Sequence, residues 1–287
     1  MSSILLDLSG KIKPSHLEVL SIISDIAASF EIPFFIVGAS ARDYILDHVY
    51  NRPAVRMTMD VDIGVKVESW EQYQKIVNAL LETGKFSQEN RNHRFLYGDV
   101  KVDIVPFGSL ADQQKNIHWP PDQTTIMSVL GFQEAYEHSI TIRLRTDPLL
   151  EIRIPTLAGL ALIKLISWSD GYPIRQRDAE DLAFIMDHYE EAGNLERLFE
   201  KEPALMEEEK FDARIAGIRL LGRDMAVIAD PETKAVISAI LDRETGEQLQ
   251  YRLATDMARA RSTREGAFEE ALALVEKLKQ GFKEIAG

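Results

Sequence analysis

Residues 33–46 read PFFIVGASARDYIL, and this stretch decides how the first half of the chain is interpreted. The apolar run at residues 34–37 indicates a short buried strand, and residues 44–46 begin a helix after a turn at residues 39–43. Gly38 and Ser40 place small residues in that connection. Exposed backbone N–H groups and the helix dipole favour phosphate there, and Ser40 adds a hydroxyl donor. Taken alone, a Gly-x-Ser turn is more often a tight connection.

The next strand along the chain carries a pair of aspartates. Residues 60–65 read DVDIGV, and the alternation of polar and apolar residues is typical of a strand with Asp60 and Asp62 on one face. Neighbouring carboxylates repel one another unless a cation lies between them. Two exposed aspartates on an edge strand are the alternative, but they leave the buried pattern of the opposite face unexplained. The pattern favours a hard cation, Mg²⁺ or Mn²⁺, at this pair.

A third aspartate interrupts a later apolar strand. Asp103 lies in KVDIVP at residues 101–106, although aspartate is disfavoured inside strands. Residues 94–97 and 100–105, joined by Gly98-Asp99, predict a hairpin. If this strand pairs with that of Asp60 and Asp62, three carboxylates converge, and such a set can hold two metal ions about 3.5–4 Å apart.

The rest of the chain predicts a change of architecture near residue 155. Helices are expected at residues 14–30 and 69–83, strands at 139–144 and 150–154, and a loop at 118–121. After Pro155 nearly all segments have helical periodicity, and the acidic run at residues 207–209 is expected to be a solvated helix face. The sequence therefore predicts the mixed α+β or α/β class: a head with a mixed β-sheet and helices at residues 1–154, followed by a mostly helical C-terminal domain at residues 155–287.

Composition narrows the classes of function. The chain has 287 residues, a net charge of -13 and no cysteine, so disulfides and cysteine-bound zinc are excluded. The acidic balance is not that of a general nucleic-acid binder. No run of about 18 or more apolar residues is present, so no membrane partner is expected. The first residues lack the basic region of a secretory signal, and the cytoplasm is the expected location.

The ordered motifs resemble those of a known superfamily. The segment at residues 35–43, the pair Asp60 and Asp62, and the later Asp103 resemble the polymerase-β-type nucleotidyltransferases. Lys164 in ALIKL and the downstream Asp178-Ala179-Glu180-Asp181 resemble more closely the AbiEii/AbiGii-type nucleotidyltransferase toxin family. The resemblance spans about residues 34–190, and it departs from the usual pattern where Ala39-Ser40 replaces an adjacent Gly-Ser pair.

This resemblance implies roles for particular residues. Gly38 and Ser40 would hold the phosphates of an NTP, and Asp60 and Asp62 would bind metal. Asp103 would be a third metal ligand or the base that activates an acceptor hydroxyl. Lys164 would contact the triphosphate, and Asp178 would support the site. The position of Arg42 near the turn would let it bind phosphate or neutralise carboxylates, and the same alternatives apply to Arg56.

Local chemistry leaves alternatives open in the second half. A lysine on an apolar helical stripe is costly unless paired, so Lys164 is expected either to reach the surface or to pair with Asp178 and Asp181. These two aspartates are neighbours on one helix face. Asp178 lies early in its helix, so a capping role is as plausible as a catalytic one.

The expected activity is a metal-dependent nucleotidyltransferase reaction of the EC 2.7.7 type. The resemblance implies transfer of NMP from an NTP to RNA or tRNA by the toxin of a toxin–antitoxin system, with an antitoxin protein as partner. A small-molecule, aminoglycoside-like acceptor is the alternative, and the acidic charge favours a cationic one. A non-catalytic nucleotide-binding module is a third hypothesis, but all three aspartates are present.

Overall fold

The protein divides into two compact units, seen in a computed structural model that describes residues 5–53, 58–246, 251–260 and 265–286. The sheet unit consists of Met1–Val49 and Val55–Thr156, and the helical unit consists of Tyr50–Ala54 and Leu157–Gly287. The assignment of residues 1–154 as a nucleotidyltransferase head and of residues 155–287 as a separate helical domain stays a prediction.

The sheet unit is built on eight strands of mixed direction. In spatial order they are β1 (Leu5–Asp7), β9 (Ile140–Thr146), β10 (Leu149–Ile154), β2 (Phe34–Val37), β3 (Val61–Lys66), β6 (Val100–Phe107), β5 (Arg94–Tyr97) and β4 (Phe86–Gln88). Three of the seven neighbouring pairs are parallel, namely β1 with β9, β10 with β2, and β3 with β6. A separate hairpin joins β7 (Asn116–Trp119) to β8 (Thr125–Ser128). The predicted mixed sheet is confirmed.

One face of this sheet is apolar because alternate residues of its central strands are aliphatic. Ile36, Ile63 and Ile104 pair in register across β2, β3 and β6, and all three are fully buried. The Tyr73 hydroxyl, on helix α3 (Trp70–Glu82), donates a hydrogen bond to the Ile104 carbonyl at 3.0 Å. Helix α3 packs against α1 (Pro14–Ser29), and Ser69 caps it as predicted. On the opposite face, Asp62 and Asp103 lie at one end, and the buried rings of Phe35 and Phe107, with centroids 5.4 Å apart, lie further along.

Two local expectations in this unit are wrong. Helix α2 (Gly38–Leu46) begins at Gly38 rather than near residue 44, because Gly38 has a φ of 70° and turns the chain directly from β2 into the helix. The predicted loop at residues 118–121 begins inside β7, and Trp119 is buried against Trp70, Tyr73 and His93. A strand that is buried on one side has only one apolar face. Pro120 and Pro121, directly after Trp119, made this short pattern resemble a loop.

The helical unit contains helices and turns throughout its described residues, as predicted. Its helices are α5 (Leu157–Asp170), α6 (Gln176–His188), α7 (Leu195–Glu200), α8 (Pro203–Glu208), α9 (Ala213–Ile228), α10 (Pro231–Thr245), α11 (Arg252–Ala260) and α12 (Ala267–Ala286). A π-helical turn lies at Glu190–Asn194. Helix α4 (Phe132–Glu137) belongs to the sheet unit. In the described ranges, no helix is both long and apolar enough to span a membrane.

Two helices of this unit approach one another closely. A Cβ atom added to Gly222 of α9 would overlap the Leu278 carbonyl, and one added to Gly281 of α12 would overlap the Arg219 carbonyl. The nearby acidic run is not uniformly solvated, contrary to expectation. Glu209 is buried and accepts ion pairs from Arg219 at 2.8 Å and Lys277 at 2.7 Å. Ion pairs with basic residues that are distant in the sequence offset the desolvation cost of burying this carboxylate.

Candidate active site

A row of four residues, three of them charged, crosses four neighbouring strands on this second face of the sheet. Val37 pairs with Asp62, Asp62 pairs with Asp103, and Asp103 pairs with Arg94. Side chains at paired positions of neighbouring strands point to the same face. The structure therefore brings Asp62 and Asp103 side by side, as the predicted strand pairing requires. Asp60, immediately before β3, shares their side by its two-residue spacing from Asp62.

The start of helix α2 abuts this row. Gly38 is the first helical residue, and a Cβ atom added to it would overlap Oδ2 of Asp62. Its φ of 70° lies in the left-handed region that favours glycine. Two independent constraints thus require glycine at this position. The backbone N–H end of a helix and a carboxylate lie next to each other as a result.

Arg94 holds the third aspartate. Its Nε donates to Oδ1 of Asp103 at 2.6 Å, and its Nη2 donates to Oδ2 at 2.5 Å. The side chains are 18% and 13% exposed. The pKa of Arg94 is raised, chiefly by the hydrogen bonds to Asp103, with the charge of Asp60 adding to the effect. Asp60, Asp103 and Arg94 therefore belong to one electrostatic cluster.

The ion pair between Arg94 and Asp103 was not predicted, although the sequence contains a signal for it. The Gly98-Asp99 turn makes Tyr97 face Val100, and counting outward from it places Arg94 opposite Asp103. A cation directly opposite a strand carboxylate predicts a cross-strand ion pair.

The predicted phosphate ligands Ser40 and Arg42 on α2 contact groups close to them in the sequence. Ser40 is fully buried, and its hydroxyl donates to the Val37 carbonyl at 3.2 Å. Arg42 is buried and pairs with Asp43, with Nη2 to Oδ1 at 2.5 Å. The Thr58 amide donates to the other oxygen of Asp43 at 3.2 Å. The phosphate-binding roles of Ser40 and Arg42 stay predictions, and Arg56 lies outside the described residues.

A histidine lies close to the first aspartate. His16 is buried on α1, and its Nδ1 is 3.2 Å from the Tyr44 hydroxyl. Burial lowers the pKa of His16, Lys13 acts in the same direction, and the Asp60 charge opposes both. The sequence offered no signal for this neighbour, since a lone histidine on a helix is usually structural.

A second charged cluster lies inside the helical unit. Nζ of Lys164 is 2.8 Å from Oδ1 of Asp178 and 2.5 Å from Oδ2 of Asp181, and Nε of Arg175 is 2.6 Å from Oδ2 of Asp178. The anticipated pairing of Lys164 with both aspartates is present, and the surface-reaching alternative is wrong because Lys164 is buried. Burial opposes the charge on Lys164, but the two carboxylates outweigh burial and raise its pKa.

The three carboxylates of the sheet unit are chemically suitable ligands for a divalent cation. Asp60, Asp62 and Asp103 supply the hard oxygen ligands that Mg²⁺ and Mn²⁺ prefer. No group of three or more acidic, histidine or cysteine side chains is gathered as a metal site in the part of the chain that the structure describes. Both oxygens of Asp103 accept hydrogen bonds from Arg94, and each oxygen retains a further lone pair. The residue types therefore fit a divalent cation, and the Arg94 guanidinium orients the Asp103 carboxylate.

Several solved structures are similar to this chain, all at low sequence identity. No protein-family model matches the chain, and no curated protein matches it. The antibiotic-resistance factor ANT(2'')-Ia matches with a TM-score of 0.36 and 14% identity, over 69% of this chain and 98% of that one. A CCA-adding enzyme in complex with ATP matches with a TM-score of 0.34 and 15% identity, over 92% of this chain and 71% of that one.

A further match is to the Thermotoga maritima CCA-adding enzyme in complex with tRNA, with a TM-score of 0.31 and 11% identity, over 96% of this chain and 83% of that one. These neighbours are nucleotidyltransferases. Because the TM-scores are all below 0.5, the likenesses assign no activity to this chain.

Proposed function

We propose that this chain transfers a nucleoside monophosphate from an NTP to a hydroxyl acceptor with the help of Mg²⁺ or Mn²⁺. The observation that carries the proposal is the in-register pair Asp62 and Asp103, flanked by Asp60 and by the helix start at Gly38. A carboxylate against a helix N-terminus repels a phosphate that the helix dipole attracts. A divalent cation between the two resolves this conflict.

Each residue has a proposed task. Asp60 and Asp62 hold the metal, which neutralises phosphate charge as it develops during transfer. The amides at Gly38 and Ser40 hold the NTP phosphates. The acceptor oxygen attacks the α-phosphorus, the bond from that phosphorus to the bridging oxygen of the β-phosphate breaks, and pyrophosphate leaves. Asp103 takes the acceptor proton or serves as a third metal ligand.

Two basic residues are the remaining proposed nucleotide ligands, Lys164 by the family resemblance and Arg42 by its position near the turn. Arg42 and Lys164 are proposed to contact phosphate, with Asp178 as support for Lys164. Arg42 pairs with Asp43, and Lys164 pairs with two carboxylates. Each cation would have to exchange one of these partners for a phosphate oxygen. A phosphate-binding role for Arg42 or Lys164 therefore requires rearrangement of an existing ion pair.

The acceptor is proposed to be RNA, with tRNA as the first candidate, and the biological role that of a toxin neutralised by an antitoxin protein. The support is the resemblance of the ordered motifs to the AbiEii/AbiGii-type family. Induced expression in a bacterial host should stop growth, and Asp62→Ala should restore it. Continued growth with abundant soluble wild-type protein would contradict the toxin role while leaving nucleotide transfer untouched.

The second candidate acceptor is a small cationic molecule. The net charge of -13 supports it, because an acidic protein attracts cations and repels polyanions. A screen of aminoglycosides and other polyamines as acceptors, read by pyrophosphate release, separates it from the RNA hypothesis.

The first experiment supplies the protein with each of four α-³²P-labelled NTPs, Mg²⁺ and total cellular RNA. Asp60→Ala and Asp62→Ala test the metal-binding pair. Asp99→Ala is the matched control, because Asp99 is an exposed aspartate in the β5–β6 turn. Label in a discrete RNA band with wild type and Asp99→Ala, and none with the other two variants, is the expected result. Equal labelling by all four proteins would refute the proposed site.

A further inference from the structure

Two basic side chains lie over one aromatic ring in the sheet unit. Nζ of Lys66, on β3, is 5.6 Å from the centre of the Tyr136 ring, and the guanidinium carbon of Arg153, on β10, is 4.9 Å from it. Tyr136 belongs to helix α4, and its ring packs against those of Phe35 and Phe107. Three elements that are distant in the sequence therefore bring two cations to one place.

Neither cation is neutralised by a carboxylate within the described residues. Arg153 donates through Nη1 alone, to the Tyr136 carbonyl at 3.5 Å and to Oγ of Ser139 at 3.4 Å. Lys66 makes no hydrogen bond or ion pair in the same part of the chain. An aromatic ring attracts a cation, but most N–H groups of the two side chains stay free to donate. These N–H groups are available to an anion.

The two cations lie on the same sheet face as the aspartate row. Asp62, Gly64 and Lys66 alternate along β3, so the side chains of Asp62 and Lys66 leave the same face. Arg153 pairs in register with Phe35, and Phe35 pairs with Gly64, which places Arg153 on this face as well. Four residues of a strand span about 13 Å, and this is the backbone separation of Asp62 from Lys66.

This separation fits a chain of phosphates. A stacked nucleic-acid strand has one phosphate per about 3.4 Å, so about 13 Å corresponds to about four nucleotides. Lysine and arginine contacts with phosphate supply most of the sequence-independent affinity for nucleic acid. Because the whole chain has a net charge of -13, an RNA acceptor needs a local positive place of this kind. A small cationic acceptor would be repelled from it.

We propose that Lys66 and Arg153 bind backbone phosphates of a single-stranded RNA acceptor, about four nucleotides from the hydroxyl that reacts. Tyr136 positions the two cations. The inference rests on the proposed function and names the substrate class of the same site, a polyanion rather than a small cation.

The test measures RNA binding without NTP or turnover. Fluorescence anisotropy of a fluorescein-labelled single-stranded RNA of about 12 nucleotides gives Kd at several KCl concentrations. The slope of log affinity against log salt counts neutralised phosphates, at about 0.7 for each phosphate of a single strand. Lys66→Gln and Arg153→Gln should each raise Kd and reduce the magnitude of the slope by about 0.7. The double variant should reduce it by about twice as much.

Lys75→Gln is the matched control for loss of positive charge. Lys75 is an exposed lysine on α3 of the same unit, and its removal should leave the slope unchanged. An equal reduction by Lys75→Gln would show that general charge decides RNA binding, and this would overturn the proposal. Arg153→Lys keeps the charge and should keep the slope. If Lys66→Gln does not fold, Lys66→Met replaces it, because methionine keeps an apolar stem against Tyr136.

The other outcomes separate this inference from the proposed function. Equal Kd and slope for wild type and a folded double variant would overturn the inference and leave nucleotide transfer standing. No RNA binding by wild type would overturn both the inference and the RNA acceptor, while transfer to a small molecule would stand. In the transfer assay, Lys66→Gln and Arg153→Gln should raise the KM for RNA and leave the KM for NTP unchanged. A raised KM for NTP alone would place the two cations at the nucleotide and overturn the proposal.

Discussion

The two charged clusters of this protein differ in composition and in exposure to solvent. In the sheet unit, Asp60, Asp62 and Asp103 share one region with Arg94, and the Arg94 and Asp103 side chains are 18% and 13% exposed. In the helical unit, Asp178 and Asp181 meet Lys164 and Arg175, and the Lys164 and Asp178 side chains are 8% and 6% exposed.

Burial and partners distinguish the two clusters. In the helical cluster, two carboxylates contact two basic groups, and Lys164 and both aspartates are buried. In the sheet cluster, Asp60, Asp62 and Asp103 are only partly buried, so solvent reaches them. Loss of one partner from the buried cluster should destabilise the fold, whereas the proposed metal binding concerns the more accessible sheet cluster.

Loss of the buried Lys164 should change the protein most. Lys164→Met leaves two buried carboxylates without their shared partner, and this should lower the free energy of unfolding by about 3–5 kcal/mol. Lys201→Met, at an exposed lysine of the same unit, should change it little. Urea denaturation followed by circular dichroism measures both. Unchanged stability together with lost NTP binding would instead make Lys164 a nucleotide ligand.

The next effect concerns the metal-binding pair. Asp62→Ala should lower the rate of nucleotide transfer by about 10²–10³-fold, since metal stabilisation of the transition state contributes several kcal/mol. Its unfolding free energy should change less than that of Lys164→Met. Single-turnover rates with labelled NTP provide the measurement, and Asp99→Ala is the control. A rate within a factor of three of wild type would exclude Asp62 from the site.

A smaller effect is expected at the helix start. Gly38→Ala forces a Cβ into Asp62 and into a left-handed backbone conformation, which should lower stability by about 1–3 kcal/mol and impair transfer. Gly84→Ala is a close control, because Gly84 has a φ of 67° but open space around its Cβ position. It should show the backbone strain alone. Equal activity of the two variants would show that contact between Gly38 and Asp62 is unimportant.

The smallest effect is a pH dependence of the helical cluster. Burial alone would raise the pKa of Asp178, but the charges of Lys164 and Arg175 outweigh burial and lower it. A lowered pKa contributes stability above the ordinary aspartate value of about 3.9, and this contribution disappears as pH falls through the lower folded value. The stability difference between wild type and Asp178→Asn should therefore be constant from pH 5 to 7 and shrink below about pH 4.

Urea denaturation of both proteins at several pH values between 3 and 7 checks this sign. A difference that grows on acidification would contradict the lowered pKa. The raised pKa of Lys164 acts at the other end of the scale, where its contribution is complete below about pH 10.4 and lost only at higher pH.

Short-range patterns in the amino-acid sequence predicted the local elements and the kinds of residue at the candidate site. The alternation of Val61, Ile63 and Val65 predicted β3, and Ser69 predicted the start of α3, because periodicity and capping act over a few residues. The spacing of Asp178 and Asp181 predicted a shared helix face. The hairpin that carries Asp103 was predicted for the same local reasons.

Contacts between residues distant in the sequence became known from the three-dimensional structure. Gly38 lies against Asp62, and Glu209 is buried between Arg219 and Lys277, which is 68 residues away. β1 was not predicted, because a three-residue strand is recognisable only through its pairing with β9. Electrostatic and packing free energies depend on partners brought together by the whole fold, and a local pattern does not identify a partner that is distant in the sequence.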